Sequence, residues 1–448
     1  MIKAFKSYDI RGIYGIDFDG EDVYRIGFFL PRLLNADKVM VSRDMRLSSP
    51  QIHDLLVAGI TDSGADVYDI GLATTPMNYY ITAKEHFAAA VQITASHNPK
   101  EHNGLKVSTN NAAPIGYQNG LQQLEYMIEN ETVIPAQKKG KVIQMNVQTE
   151  YVQFLSAYCE DISNLNIVMD CSNGMAGLLV EKIFHSMPQY LNLMPDGNFP
   201  SHAPNPLELE NIVQLQQSVR QNGADIGVIF DGDADRVMFI DENANFISPD
   251  LIIAFLAQHF LKSDTINRKV LVDIRTSLGV IESLKEMNAE VFMWKVGRAN
   301  AAVKLREIDG LFGGELAGHY YFKDFYYSDS GILAAILVLN LLAKLKKQNS
   351  TFSKAIAQYI RYANSGEINF QIENKSLAME TLKNHFCHLQ PPVNIYDFDG
   401  YRIEFNDWWM NIRASNTESY LRFIAEAKTK SLLNEKIKEV EKILQTIQ

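Results

Sequence analysis

The sequence predicts an α/β protein of three successive α/β units, closed by a smaller α+β unit. Three observations predict it. Short apolar runs alternate with helix-patterned segments from about residue 38 to residue 347, which points to parallel α/β units. The pattern changes at about residue 362. At 448 residues the chain is too long for one core, and about three or four domains are expected. The expected segments are 1–145, 146–246, 247–361 and 362–448.

In the first segment, Lys38-Val39-Met40-Val41 reads as a strand, 50–62 as a helix and 65–70 as a strand. Residues 88–93 form a short apolar run that reads as a buried strand. Asn103-Gly104 marks a tight turn before another short strand. The basic run Lys138-Lys139-Gly140-Lys141 lies near the boundary and reads as a solvated hinge. The second unit starts around Thr149, with a strand at 166–169, a helix at 176–185 and an apolar strand at 224–230. Ser248 and Pro249 then fit a helix N-cap and first position. The third unit follows as helix 249–262, strand 269–273, helix 277–287 and strand 290–294, and 328–347 reads as a long core helix. Residues 430–448 form an amphipathic terminal helix, with Leu432, Leu433, Ile437, Val440, Ile443 and Leu444 at helical spacing.

Composition narrows the function. The chain is 46% hydrophobic and 21% charged, with a formal charge of −11, which argues against a nucleic-acid or anionic-membrane partner. No apolar run approaches the roughly 20 residues of a membrane span, and residues 1–6 have no signal-peptide apolar core. Cys159, Cys171 and Cys387 are too few and scattered for a disulfide framework, so a reducing cytoplasm is expected. A phosphate site in this acidic chain must gather a few cations locally.

Four short stretches carry chemistry. In Thr94-Ala95-Ser96-His97-Asn98-Pro99 the proline forces its predecessor away from the helical region, so Ser96 is expected on a sharp loop at a strand end, its hydroxyl facing a cleft. In Asp231-Gly232-Asp233-Ala234-Asp235-Arg236 three alternating carboxylates can converge, and they repel unless a cation neutralises them. Oxygen ligands suit Mg²⁺. A calcium EF-hand is excluded although Glu242 falls at its twelfth position, because Arg236 stands where glycine is needed and both flanks are strand-like. For that motif alone, a plain acidic turn remains the alternative. Gly314-Glu315-Leu316-Ala317-Gly318-His319 offers a carboxylate able to accept from adjacent sugar hydroxyls. In Arg413-Ala414-Ser415-Asn416-Thr417-Glu418, one guanidinium, two hydroxyls, an amide and backbone N–H groups make an anion site. His385, Cys387 and His388 lie in a helical stretch without a partner pair, and a metal is not expected there.

These four loops, in this order, resemble the α-D-phosphohexomutase family over essentially the whole chain, most nearly its bacterial phosphomannomutase/phosphoglucomutase branch. Ser7 to Gly12 and Ser42 to Pro50 resemble two further family segments. The resemblance implies four domains around a central cleft, each contributing a loop. It implies that Ser96 carries a phosphoryl group, passed to a hexose 1- or 6-phosphate to form a bisphosphate, with glucose 1,6-bisphosphate or its mannose equivalent as activator. Mg²⁺ would be held by Ser96, Asp231, Asp233 and Asp235. Arg11 and Arg236 would contact the phosphoryl group, with His97 and Asn98 beside it, and Lys106 and His319 would transfer protons. Glu315 and His319 would read the sugar, and Arg413, Ser415, Asn416 and Thr417 would grip the non-reacting phosphate.

Two positions depart from the pattern. Ala317 stands where the family commonly has serine. Arg298, counted among the substrate-binding residues, follows Gly297 where the branch often carries histidine. The preferred sugar therefore stays open among mannose, glucose and glucosamine. A catalytically silent sugar-phosphate-binding protein is the rival from another class. A Ser96–His97 hydrolase is disfavoured, because adjacent residues rarely meet as nucleophile and base and no nucleophile elbow surrounds Ser96.

Overall fold

The structure, a computed structural model, describes residues 2–262, 265–414 and 420–447. Its strands form four sheets. The first has seven, with Lys38–Arg43 pairing in parallel with both Ala89–Ile93 and Asp66–Leu72, and Asp66–Leu72 in parallel with Val142–Gln144. His102–Thr109 runs antiparallel between Ala89–Ile93 and Ile10–Ile13. The second sheet centres on parallel strands Ile226–Phe230 and Ile167–Asp170. In the third, Lys269–Asp273 is parallel to both Glu290–Trp294 and Phe312–Gly314. The fourth is antiparallel, with Trp408–Ala414 between Tyr401–Glu404 and Tyr420–Ala427. Alternation of strand and helix thus gives mixed α/β sheets three times, and the late change of pattern gives an α+β unit.

The central strands Ala89–Ile93 and Ile226–Phe230 are buried at every residue, as expected where helices cover both faces. One continuous core joins the first three sheets, from Met40 and Met77 through Phe230 and Phe239 to Phe312 and Leu337. The fourth sheet has its own core around Met410, Phe423 and Leu382. Among the described residues no helix is long and apolar enough to cross a membrane.

Three expected helices differ in detail. The long helix begins at Gly331, not at 328: Ser330 is its N-cap, accepting from Leu333 N, while Ser328–Asp329 is a short strand on Tyr320–Phe322. The expected helix 176–185 is broken into a 3₁₀ turn, Met175–Leu178, and one short α-helix, Val180–Phe184. Its start is anchored elsewhere, because Met175 N donates to Gly232 O at 2.8 Å. Ser248 precedes the helix Pro249–Phe260 as expected, but its hydroxyl donates to Asp250 Oδ1 at 2.5 Å and makes no cap bond.

Helices Gly20–Leu34 and Ser49–Asp62 cross at two glycines. A Cβ at Gly59 would lie 2.0 Å from Tyr24 O, and one at Gly27 would lie 2.3 Å from Leu56 O. Backbone-to-backbone contact of this kind cannot be relieved by a side-chain rotation. Gly59→Ala is expected to lose about 1–3 kcal/mol of stability or more, read as a lower thermal midpoint; an unchanged midpoint would mean the helices separate freely.

Candidate active site

Ser96 sits just past the strand Ala89–Ile93 and is 2% exposed. Thr94 Oγ1 accepts from Ser96 N at 2.9 Å, the local bond that turns the chain. The backbone of Ser96 is left-handed, φ +53°, which costs a residue with a Cβ on the order of 1–2 kcal/mol. Arg46 holds the turn against that cost. Its guanidinium donates to the carbonyls of Ser96 at 2.8 Å, Asn98 at 2.6 Å, Pro99 at 2.7 Å and His102 at 3.0 Å. Asp44 neutralises it at 3.2 Å, and the ring of Phe199 covers it.

The aspartate loop meets this turn. Ser96 Oγ donates to Asp231 Oδ2 at 2.9 Å, and a Cβ at Gly232 would come within 2.5 Å of Ser96 O, so only glycine permits the approach. Asp231, Asp233 and Asp235 are buried and each offers an oxygen within 4.8 Å of the others. Lys106 Nζ lies 2.6 Å from Asp233 Oδ2 and 2.5 Å from Asp235 Oδ2. Thr75 donates to Asp233 Oδ2 through Oγ1 at 2.5 Å, and its N–H to Asp233 O at 3.1 Å. Arg236 N donates to Asp231 Oδ1 at 3.2 Å.

Protonation follows from this crowding. Burial, then Asp235 and Asp233, pushes Asp231 well above the usual carboxylate range, so the loop calls for one more positive charge. Asp233 Oδ1 and Asp235 Oδ1 are buried without a hydrogen-bond partner among the described residues, which in a folded protein points to a missing partner. Three carboxylates with open oxygens form the donor set of a hard divalent cation. Burial would lower the Lys106 ammonium, yet Asp233 and Asp235 hold it above its ordinary value, so it stays protonated. His97 Nδ1 is 3.3 Å from Ser96 Oγ. Burial, then Arg236, Arg11 and Lys106, pushes that imidazole well below its usual range. Arg11 Nη1 donates to Asn98 Oδ1 at 3.0 Å and pairs with Asp9.

The third sheet adds His319, bridged to Arg236 across the two units. Asp329 Oδ2 accepts from its Nδ1 at 2.6 Å, and Arg236 Nε donates to its Nε2 at 2.9 Å. A carboxylate only accepts and a guanidinium only donates, so the tautomer that fits both bonds carries its proton on Nδ1. Glu315 accepts from Tyr321 Oη at 2.8 Å and from Gly297 N at 3.2 Å, and burial raises its carboxyl. Nearby, Arg275 is held by Asp273 at 2.7 Å and by Glu367 at 3.2 Å. Glu367 also faces Arg413 at 3.8 Å and Arg422 at 3.1 Å. Arg413 Nε is buried without a hydrogen-bond partner among the described residues.

Four family models match the chain. They are described as phosphoglucomutase/phosphomannomutase alpha/beta/alpha domain I at residues 2–133, domain II at 149–244, domain III at 248–361, and the C-terminal domain at 367–443. The chain belongs to the phosphoglucomutase/phosphomannomutase family. It is 34% identical to a phosphomannomutase of Vibrio cholerae, covering 100% of this chain and 99% of that one. A solved phosphoglucomutase/phosphomannomutase family protein of Burkholderia thailandensis superposes with a TM-score of 0.88 at 26% identity, covering 100% of this chain and 98% of that one. An Aspergillus fumigatus N-acetylphosphoglucosamine mutase variant, solved with glucose 1,6-bisphosphate, shares the fold alone. Its identity is 13% and its TM-score 0.59, over 100% of this chain and 94% of that one.

In this family member, Ser96, His97, Lys106, Arg236, His319 and the three aspartates lie together. Arg11 reaches the same loop through Asn98. Lys106 is paired to two carboxylates. The Arg298 guanidinium lies over the Tyr79 ring and pairs with Asp329. Ser415, Asn416 and Thr417 lie outside the described residues. Arg46, Thr75, Asp329 and Glu367 carry the site without a sequence signal of their own, apart from the 42–50 resemblance that contains Arg46.

Arg46→Lys keeps the charge but replaces a five-donor fork with three donors, so one of the four carbonyls is left unpaired. A stability loss of about 1–3 kcal/mol is expected, with faster amide hydrogen exchange confined to residues near 94–104. Unchanged exchange there would show that the turn stands without Arg46.

Proposed function

We propose that this chain is a phosphohexomutase that interconverts the 1- and 6-phosphates of mannose or glucose through a phosphoserine at residue 96. One observation carries the reading: the Ser96 hydroxyl, on a rigid strained turn, points at a buried aspartate triad with open oxygens. Phosphoryl transfer asks a protein chiefly for positioning and charge stabilisation, and these residues supply both. Segments 1–145, 146–246, 247–361 and 362–448 would each bring one loop.

On this reading the Ser96 phosphoryl group passes to the free hydroxyl of the bound hexose phosphate, giving a bisphosphate. The other phosphoryl group then returns to Ser96. Asp231, Asp233 and Asp235 would hold Mg²⁺, which neutralises phosphoryl charge when bound. Arg11, bonded to Asn98 in the Ser96 loop, and Arg236, whose N–H bonds Asp231, would contact the phosphoryl group from two units. Lys106, kept protonated, suits a proton donor to the leaving oxygen. His319, with a lone pair on Nε2, suits the acceptor of the sugar proton once Arg236 swings to the phosphoryl group. Glu315 retains acceptor capacity for sugar hydroxyls. Arg413 with Ser415, Asn416 and Thr417 would bind the distal phosphate. Glucose 1,6-bisphosphate, or its mannose equivalent, would prime Ser96. Cys159, Cys171 and Cys387 are free thiols, in keeping with a cytoplasmic enzyme.

Phosphorus NMR with Mg²⁺ and a trace of glucose 1,6-bisphosphate tests the activity on mannose, glucose and glucosamine 1-phosphates separately. Conversion of the first two is expected. Conversion of glucosamine 1-phosphate alone would make it a phosphoglucosamine mutase, and binding without conversion would make it a silent binding protein. Ser96→Ala is expected to fold normally and lose on the order of 10⁴-fold or more in turnover, as removal of a covalent nucleophile does.

Metal removal has a readout beyond activity. Mg²⁺ at 100 times its dissociation constant is expected to raise stability by about 2.7 kcal/mol, seen as a higher thermal midpoint that a chelator reverses. Asp233→Asn should abolish most of that rise while the metal-free midpoint stays near or above that of the parent. A full rise in the variant would place the cation elsewhere.

A further inference from the structure

We infer that Arg298 is a positioning residue for His319, acting through Asp329, and not a ligand of the sugar. The inference rests on the reading of His319 as a reaction-centre residue. Arg298 opens the helix Arg298–Glu307, directly after Gly297 at φ +104°. Its guanidinium carbon stands 3.6 Å from the centroid of the Tyr79 ring, close enough for stacking on a desolvated face. Tyr79 is buried and comes from the first unit, on the helix Thr75–Lys84 that also supplies Thr75 to the aspartate loop. Arg298 Nε lies 3.2 Å from Asp329 Oδ1, and Nη2 donates to Ala112 O at 3.4 Å. The side chain is 11% exposed, and both Nε and Nη2 are already engaged within the protein.

Asp329 makes the connection. It is fully buried, with one oxygen on Arg298 and the other on His319 Nδ1 at 2.6 Å. A buried carboxylate holds its place when both oxygens are bonded and its charge is matched. The guanidinium is planar and pinned by Tyr79, so it fixes the carboxylate plane. That plane fixes the imidazole, keeping the proton on Nδ1 and the Nε2 lone pair towards Arg236 Nε at 2.9 Å. Arg236 N in turn bonds Asp231. The line from Arg298 to Arg236 therefore orients the ring, because the two guanidiniums only donate and the Asp329 carboxylate only accepts.

The test combines kinetics with nitrogen-15 histidine NMR on the full-length enzyme, His319 being assigned through His319→Gln. The parent is expected to give the Nδ1–H tautomer. Arg298→Gln is expected to give mixed tautomers at His319 and a kcat lower by about 10–100-fold, with KM within about twofold. Arg298→Lys, which keeps the charge on Asp329, is expected to restore the single tautomer and most of kcat. A raised KM with kcat and tautomer unchanged would make Arg298 a substrate ligand and overturn the inference. A lower thermal midpoint with kcat, KM and tautomer all unchanged would overturn it too, leaving Arg298 as a clasp between units. If the parent converts no hexose phosphate, the activity reading fails, while the tautomer comparison still decides the inference.

Discussion

Three carboxylates buried within 4.8 Å of one another are the constraint that organises the molecule. At an effective dielectric constant of about 20, each ionised pair at that separation repels by roughly 3–4 kcal/mol. Within the loop only Arg236 relieves the repulsion, 3.9 Å from Asp231 Oδ2. Lys106 and Thr75 come from the first sheet's unit, while His319 reaches Arg236 from the third. Gly331, at the start of a long buried helix, donates its N–H to Ala234 O in the loop itself. The rest of the compensation is interdomain, and the cohesion of three units and the electrostatics of the site are one problem.

The α/β architecture supplies the convergence. In open sheets ligands bind beyond the carboxyl ends of the strands. Ser96 follows Ala89–Ile93, Asp231 follows Ile226–Phe230, Arg275 follows Lys269–Asp273, Arg298 follows Glu290–Trp294 and Glu315 follows Phe312–Gly314. Four of the five strands are buried or nearly so and Glu290–Trp294 is half-buried, and each hands polar residues to the same kind of edge. Arg402, fully buried, ties the fourth sheet to that edge by donating to Ile274 O at 2.9 Å and Thr276 O at 2.7 Å.

Much of this was legible in the sequence, for identifiable reasons. Repeated strand–helix alternation is a local signal, and it gave the fold class. Ser96, the aspartates, Glu315 and His319 sit in compact polar runs bounded by glycine and proline, so the chemistry is written in adjacent letters. Arg46, Thr75, Asp329 and Glu367 are ordinary polar residues whose meaning depends on partners far along the chain: Thr75 is 158 positions from Asp233. Arg298 shows the same dependence: beside its place after Gly297, its surroundings include Tyr79 and Asp329 from distant segments. The break in the helix expected at 176–185 has the same origin, since Met175 is bonded to the aspartate loop.

The left-handed backbone at Ser96 also bears on which alcohol can serve there. Threonine offers the same hydroxyl, but a β-branched residue at φ +53° is a steric outlier. Its methyl group would also have to fit where the side chain is already 2% exposed. Two amino acids that are near equals as nucleophiles are thus separated by a torsion angle. The genetic choice of serine at this position is a conformational requirement before it is a chemical one.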